Sequence, residues 1–239
     1  MDWTIVYMVA ALLLLPAFIY GGISQISATS TFEKYSQSAA HSGITASELA
    51  KKLLANAGIT NVDVVKINGT LTDCYDPRHK VIKLSTSTYD STSIAALGVC
   101  AHEVGHAVQD AQGSFLFRLR IAIVPVVNLL SRLYIPLILA GSILSFVLYI
   151  EAIGYYISWA AVIMYGASTL FHLVTLPLEH DASKRALQML RETESLTTPE
   201  IDSANVVLKA AIQTYIAALA TSVLYFLRFL SYAMIFKRD

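Results

Sequence analysis

The sequence predicts a mainly α integral membrane protein, with about four transmembrane helices and one small α+β region at the membrane surface. Three observations carry this expectation. Of 239 residues, 55% are hydrophobic and only 14% charged, where a soluble domain carries about 25% charged residues. The apolar residues are gathered in blocks, and about 20 of them cross a bilayer as helix. One substantial polar stretch remains, between the first block and Gln109. The bilayer is therefore the first partner implied. A formal net charge of zero gives no sign of nucleic acid. Two cysteines, Cys74 and Cys100, make no disulfide framework and fit a reduced, intracellular setting.

The elements follow in order. Trp3 to Phe32 runs without a charge. It lacks a positive n-region and a clear small-residue cleavage site, so it reads as an uncleaved anchor, residues 1–26, rather than a signal peptide. Leu133–Ile150 and Gly154–Pro177 are the second and third candidate spans and make a membrane hairpin within residues 119–177, with a tight turn at Glu151. Ala210–Leu227 is the fourth, with room to continue through Arg228 to Phe236, inside a C-terminal segment 208–239. Tyr and Trp near several ends suit the membrane interface. Four spans are few for a small-solute transporter, and Arg132 and Arg228 can snorkel. Lys34 to Arg120 and Lys184 to Lys209 share one side of such a layout. That side, with Arg118, Arg120, Lys184 and Arg185, is the richer in Lys and Arg and is assigned to the cytoplasm, although Lys237 and Arg238 count the other way. The expected location is a multi-pass protein of the cell membrane.

Residues 27–118 form the α+β region. After a Ser-rich connector, Thr45 and Glu48 make a capping box for a short helix that Gly58 ends. Asn61–Ile67 alternates as a strand does, and Asn-Gly-Thr at 68–70 marks a turn. That triplet also fits the glycosylation pattern, which needs a secretory lumen and is discounted. A polar turn and a strand over Lys80–Ser85 follow. A helix then runs from Ser93 to about Asp110.

That last helix carries the chemistry. His102 and His106 stand four apart and so share one face. Glu103 lies about 100° around from His102 and flanks whatever the histidines hold. This is the H-E-x-x-H arrangement of zinc hydrolases, two ligands and a general base. Gly105 lets another segment approach closely. The bland alternative is two satisfied histidines beside an ordinary glutamate, but an apolar helix would then bury polar groups without partners, which is costly. A catalytic zinc needs a third protein ligand. Candidates are few: Thr175–Leu187, "TLPLEHDASKRAL", offers Glu179, with His180 and Asp181 as rivals and His172 deeper in the apolar block. Pro177 suits the first turn of a new helix, so Glu179 could equally be a helix-dipole partner.

The segments "AALGVCAHEVGHAVQ", "LTDCYDPRHKVIKLS" and "LVTLPLEHDASKRAL" resemble the YugP-like membrane zinc metallopeptidases from about Thr70 onward. The resemblance implies a zincin-like catalytic region and a zinc-dependent endopeptidase acting on peptide or protein substrates. It implies one Zn2+ held by His102, His106 and Glu179, with Glu103 as base and residues 178–207 carrying the third ligand. The layout is also similar to the HtpX and CAAX-protease group, where a membrane hairpin separates the motif from a later glutamate. Those relatives place an aspartate four residues after that glutamate, where this chain has Ser183; Asp181 is two residues away. Cys74 stands where the family pattern "DHYDPR" has histidine, so Cys74 is not counted as a ligand. Asp73, Asp76 and Arg78 otherwise read as a polar turn pairing among themselves. His180, Arg185 and Arg78 are candidates to stabilise an oxyanion, and Asp181 to support the ligands. The strand around Val81–Leu84 serves either as an edge that holds substrate or as plain scaffold. The expected substrates are membrane-associated or damaged proteins; the competing function is a non-catalytic zinc-binding membrane scaffold.

Overall fold

The computed structural model describes residues 2–146 and 151–235. In chain order the elements are α1 (Trp3–Ser36), α2 (Ala46–Asn56), β1 (Asp63–Ile67), β2 (Cys74–Asp76), β3 (Val81–Ser85), α3 (Ile94–Ala111), α4 (Phe115–Phe146), α5 (Glu151–Glu192) and α6 (Thr198–Ile235). Four helices, α1, α4, α5 and α6, are long and apolar enough to cross a membrane. The chain divides into two compact units, one of Met1–Ile23, Leu119–Leu176 and Tyr215–Asp239, the other of Ser24–Arg118 and Pro177–Thr214.

The first unit is helical. Its inward side holds a cluster of aromatic rings in which Tyr165 packs against Tyr134 at 5.0 Å and Phe229 at 5.2 Å, edge to face, the geometry ring quadrupoles favour. Thr169 and Ser222 share a buried hydrogen bond of 2.9 Å. Arg228 donates to the Tyr7 hydroxyl at 3.2 Å and lies over its ring. Large apolar side chains such as Leu12 (74% exposed) and Ile163 (69%) point outward, as lipid-facing positions do.

The apolar stretch of α4 starts earlier than the composition blocks suggest: the candidate span is Phe115–Gly141, with Pro125 and Pro136 inside the helix. Residues 147–150, the end of the expected second span, lie outside the described residues, as does the basic tail beyond Ile235. Glu151 opens α5 instead of forming the turn. Pro177 does not start a new helix either; α5 runs through it. An interior proline costs about 3 kcal/mol. Four residues on the same flank of α5, Leu178, Ala182, Ala186 and Leu190, are almost wholly buried, and that packing holds the helix together across the break in its hydrogen bonds. Glu179 is therefore mid-helix and not a partner for a helix N-terminus.

The second unit is built around α3. Leu49, Leu53 and Leu54 of α2, Ile82 and Leu84 of β3, Ala186 and Leu190 of α5, and Ile201, Ala204 and Leu208 of α6 form one core with it. Each fully buried Leu or Ile contributes about 1.5–3 kcal/mol. The capping box of α2 forms as its sequence requires: Thr45 N–H donates to Glu48 at 3.0 Å, and Glu48 N–H to Thr45 Oγ1 at 3.4 Å. The sheet order is β1-β3-β2, with β1 parallel and β2 antiparallel to β3. This corrects the edge-strand reading of Val81–Leu84. β3 is the middle strand, flanked by β1 along Val81–Ser85 and by β2 along Val81–Lys83, so it is scaffold rather than an edge strand. The polar turn also resolves differently. Asp73 accepts from Ser85 N–H and from the Ser85 and Thr88 hydroxyls. Asp76 accepts from Lys83 and His79. Neither aspartate takes the Arg78 guanidinium; only the Arg78 backbone N–H reaches Asp76.

Candidate metal centre

Helix α3 begins at an N-cap, Ser93, whose hydroxyl accepts the Ala96 N–H at 3.3 Å. Two turns further on, His102 and His106 share one face and meet edge to face, with ring centroids 4.7 Å apart. Glu179 of α5 reaches them with one carboxylate oxygen, 3.1 Å from His102 Nε2 and 3.5 Å from His106 Nε2. One ligand atom from each of the three residues lies within 4.8 Å of the others. Glu179 is 1% exposed and His106 7%.

Such a group could hold a metal ion. Burial disfavours charge on His106, yet the Glu179 carboxylate outweighs it and raises the affinity of that imidazole for a proton. The donor set also fits zinc: two imidazole nitrogens and one carboxylate oxygen. Ligands bound to one zinc at about 2.0–2.1 Å stand about 3.3 Å apart, close to the two separations observed.

What lets α5 come near enough is Gly105. A Cβ there would lie 2.6 Å from the carbonyl oxygen of Ala182, closer than any side chain tolerates. Ala182 sits between Glu179 and Ser183, so the contact that only glycine permits is the one that delivers both.

Comparison with known proteins decides the family. The profile of the family described as "Putative neutral zinc metallopeptidase" matches residues 10–234. The chain belongs to this zinc metallopeptidase family. It is also 39% identical, over 206 residues covering 86% of this chain and 88% of the relative, to the "Putative membrane protease YugP" of Bacillus subtilis (strain 168). No solved structure matches. The likeness read from Thr70 onward thus extends almost to the N-terminus of the chain.

Around the three candidate ligands the chain places a layer of hydrogen bonds. His102 Nδ1 meets Ser183 Oγ at 3.1 Å, and His106 Nδ1 meets Gln109 Oε1 at 2.9 Å. Gln109 donates in turn to the Leu178 carbonyl at 3.0 Å and to Asp181 at 2.8 Å. Arg185 donates to Asp181 at 2.6 Å and to Gln112 at 2.7 Å. Glu103, 8% exposed, accepts the Tyr75 backbone N–H of β2 at 2.8 Å. The Tyr75 hydroxyl donates to Asp110 at 2.7 Å, and burial, then that bond, push its pKa up.

Of the residues singled out in the sequence, His102, His106 and Glu179 are brought together, and Asp181 and Arg185 join the layer behind them. His180 and Arg78 are exposed, His180 one position beyond Glu179 and Arg78 in the turn after β2. Cys74 is exposed on β2 and stands outside the ligand group, as does His172, which belongs to the other unit. Sequence reasoning missed Gln109 and Tyr75 and saw Ser183 only as a departure. Helical spacing signals the first and last: Gln109 is three residues past His106, and Ser183 four past Glu179.

Proposed function

We propose that this chain is a membrane-embedded, zinc-dependent endopeptidase of the cell membrane that cuts peptide bonds in membrane-associated or damaged proteins. The observation that carries the reading is the meeting of His102, His106 and Glu179 next to Glu103. His102, His106 and Glu179 would hold one zinc ion per chain. Zinc, when bound, brings the pKa of water towards 7 and polarises the scissile carbonyl. Glu103 takes a proton from the attacking water and returns it to the departing amine. The Tyr75 N–H fixes Glu103 through Oε2, which leaves Oε1 for that proton. Arg185 is occupied by Asp181 and Gln112, so His180 and Arg78 remain as candidates for the oxyanion. The apolar helices and the relative named as a membrane protease support action in the membrane. The Lys and Arg distribution supports a cytoplasmic site.

The test is zinc content and proteolysis of the purified protein in detergent, for wild type and Glu103→Gln. Glutamine can still accept the Tyr75 N–H, so the fold is kept. The expected outcome is one retained zinc and a loss of cleavage of about 10²–10⁴-fold, the usual contribution of a general base. Undiminished cleavage by Glu103→Gln overturns the mechanism. A biological role that survives in this variant favours the zinc-binding scaffold. Membrane-inserted substrates should be cut in preference to soluble ones, and equal cleavage counts against the substrate class.

A further inference from the structure

We infer that Gln109 is a positioning residue that fixes which nitrogen of His106 carries the proton, and that it ties this choice to the seating of α5 on α3. The inference rests on the zinc-site reading above. Gln109 is 0% exposed, so its amide has no water to fall back on, and its partners dictate which end faces which way. The Leu178 carbonyl and the Asp181 carboxylate, at 3.0 and 2.8 Å, can only accept. Both need the NH2 end. Oε1 is then the end that meets His106 Nδ1 at 2.9 Å, and it too can only accept. Nδ1 must therefore bear a hydrogen. When a metal takes the place of a second proton the imidazole is neutral and carries only this one, so the Nε2 lone pair faces Glu179, where a metal ligand needs it. The other tautomer would press two acceptors together at 2.9 Å.

The same amide acts on α5. Leu178 adjoins Glu179, so one side chain orients a ligand on α3 and grips the backbone beside a ligand on α5. Asp181 is itself held by Arg185, which reaches back to Gln112, the C-cap of α3. The hydrogen bonds form a circuit from α3 to α5 and back. His102 is served differently. Its partner is the Ser183 hydroxyl, which can donate or accept and so imposes no tautomer. Loss of Gln109 should disturb His106 and spare His102.

Two variants test this in the full-length protein in detergent. Gln109→Leu removes every polar contact at similar volume; Gln109→Glu keeps an acceptor for Nδ1–H but removes both donations to α5. Zinc affinity is read by competition with a chromogenic chelator, and the histidine tautomers by 15N NMR of labelled imidazoles. Gln109→Leu should weaken zinc binding about 10–100-fold, as loss of such a partner does, and in the metal-free chain lose the Nδ1–H signature of His106 while the His102 signals stay as in wild type. Gln109→Glu should keep the His106 signature and still bind zinc more weakly. The proposal is overturned if Gln109→Leu keeps zinc affinity within about twofold and the His106 signal unchanged, or if both histidines change alike. Should Gln109→Leu fail to fold, Gln109→Glu decides, since wild-type zinc affinity there removes the link to α5. A wild-type chain that binds no zinc sinks the metallopeptidase reading instead, and the tautomer signals of the metal-free protein then judge Gln109 separately.

Discussion

A methyl group at Gly105 would have to displace the Ala182 carbonyl, which lies 2.6 Å from where it would stand. Backbone of a packed helix cannot move aside as a flexible side chain can. Gly105→Ala therefore pushes α5 off α3, at a cost of about 1–3 kcal/mol for the overpacking. It also parts Glu179 from the two histidines. The expected outcome is a lower melting temperature together with zinc binding weakened well beyond what the loss of stability explains. Thermal unfolding with and without zinc checks it, and an unchanged zinc increment would show that the approach is not what builds the site. Gly98 is a graded comparison, because a Cβ there meets the Ala204 Cβ at 3.3 Å, a milder approach than the 2.6 Å at Gly105. Ser183→Ala is a second test at this scale: His102 Nδ1 loses its partner, and zinc affinity should fall about tenfold or more. Much of this was legible in the chain. The His102–Glu103–His106 spacing and the role of Gly105 come from helical geometry alone. That Ala182 is what approaches, and that Gln109 faces Asp181, depends on how two segments some 70 residues apart pack, which no local pattern encodes.

Elements whose signals are local were readable, and those defined by partners were not. The Thr45–Glu48 capping box and the Gly58 stop belong to the first kind, and both form. Thr45→Ala should cost about 1 kcal/mol in chemical denaturation, the usual loss for a cap. Strand β2 belongs to the second kind. Its three residues carry no periodicity, and they are a strand only because β3 lies beside them. Asp76 at the end of β2 secures that pairing. The Lys83 ammonium first, then His79 and two backbone N–H groups, hold its carboxyl far below the usual carboxylate range. A carboxylate whose pKa is lower folded than unfolded adds stability above its unfolded value, about 4, and loses it as pH falls towards the folded value. Asp76→Asn should thus be less stable than wild type at neutral pH, with the gap narrowing steadily below about pH 4. Urea midpoints across that range measure it; a gap of constant size would mean the carboxylate charge plays no part. Pro177 shows the opposite failure of local reading: a strong helix-start signal yields to the buried flank of α5.

At the scale of the whole chain, the outward apolar side chains of α1, α4, α5 and α6 set the solvent. Exposure to water of so much Leu, Ile and Val would cost about 25 cal/mol per Å², and a bilayer removes that cost. On the proposed reading, which face of the bilayer carries the candidate metal centre is a question of charge, and the Lys and Arg around residues 118–120 and 184–185 argue for the cytoplasm. The two cysteines make this measurable. Cys100 is fully buried, its thiol donates to the Ala46 carbonyl at 2.9 Å, and burial pushes its pKa up strongly; it should not react in the folded protein. Cys74 is exposed on β2, beside the residue whose N–H holds Glu103. Burial and then the nearby Glu103 raise its pKa more gently, so labelling is best run at mildly alkaline pH. A membrane-impermeant maleimide should label Cys74 in inverted vesicles and not in intact cells, with Cys74→Ser unlabelled in both. Labelling of intact cells from outside would place the histidines and Glu179 on the far face, and the substrates would then have to be sought among proteins that have already crossed the membrane.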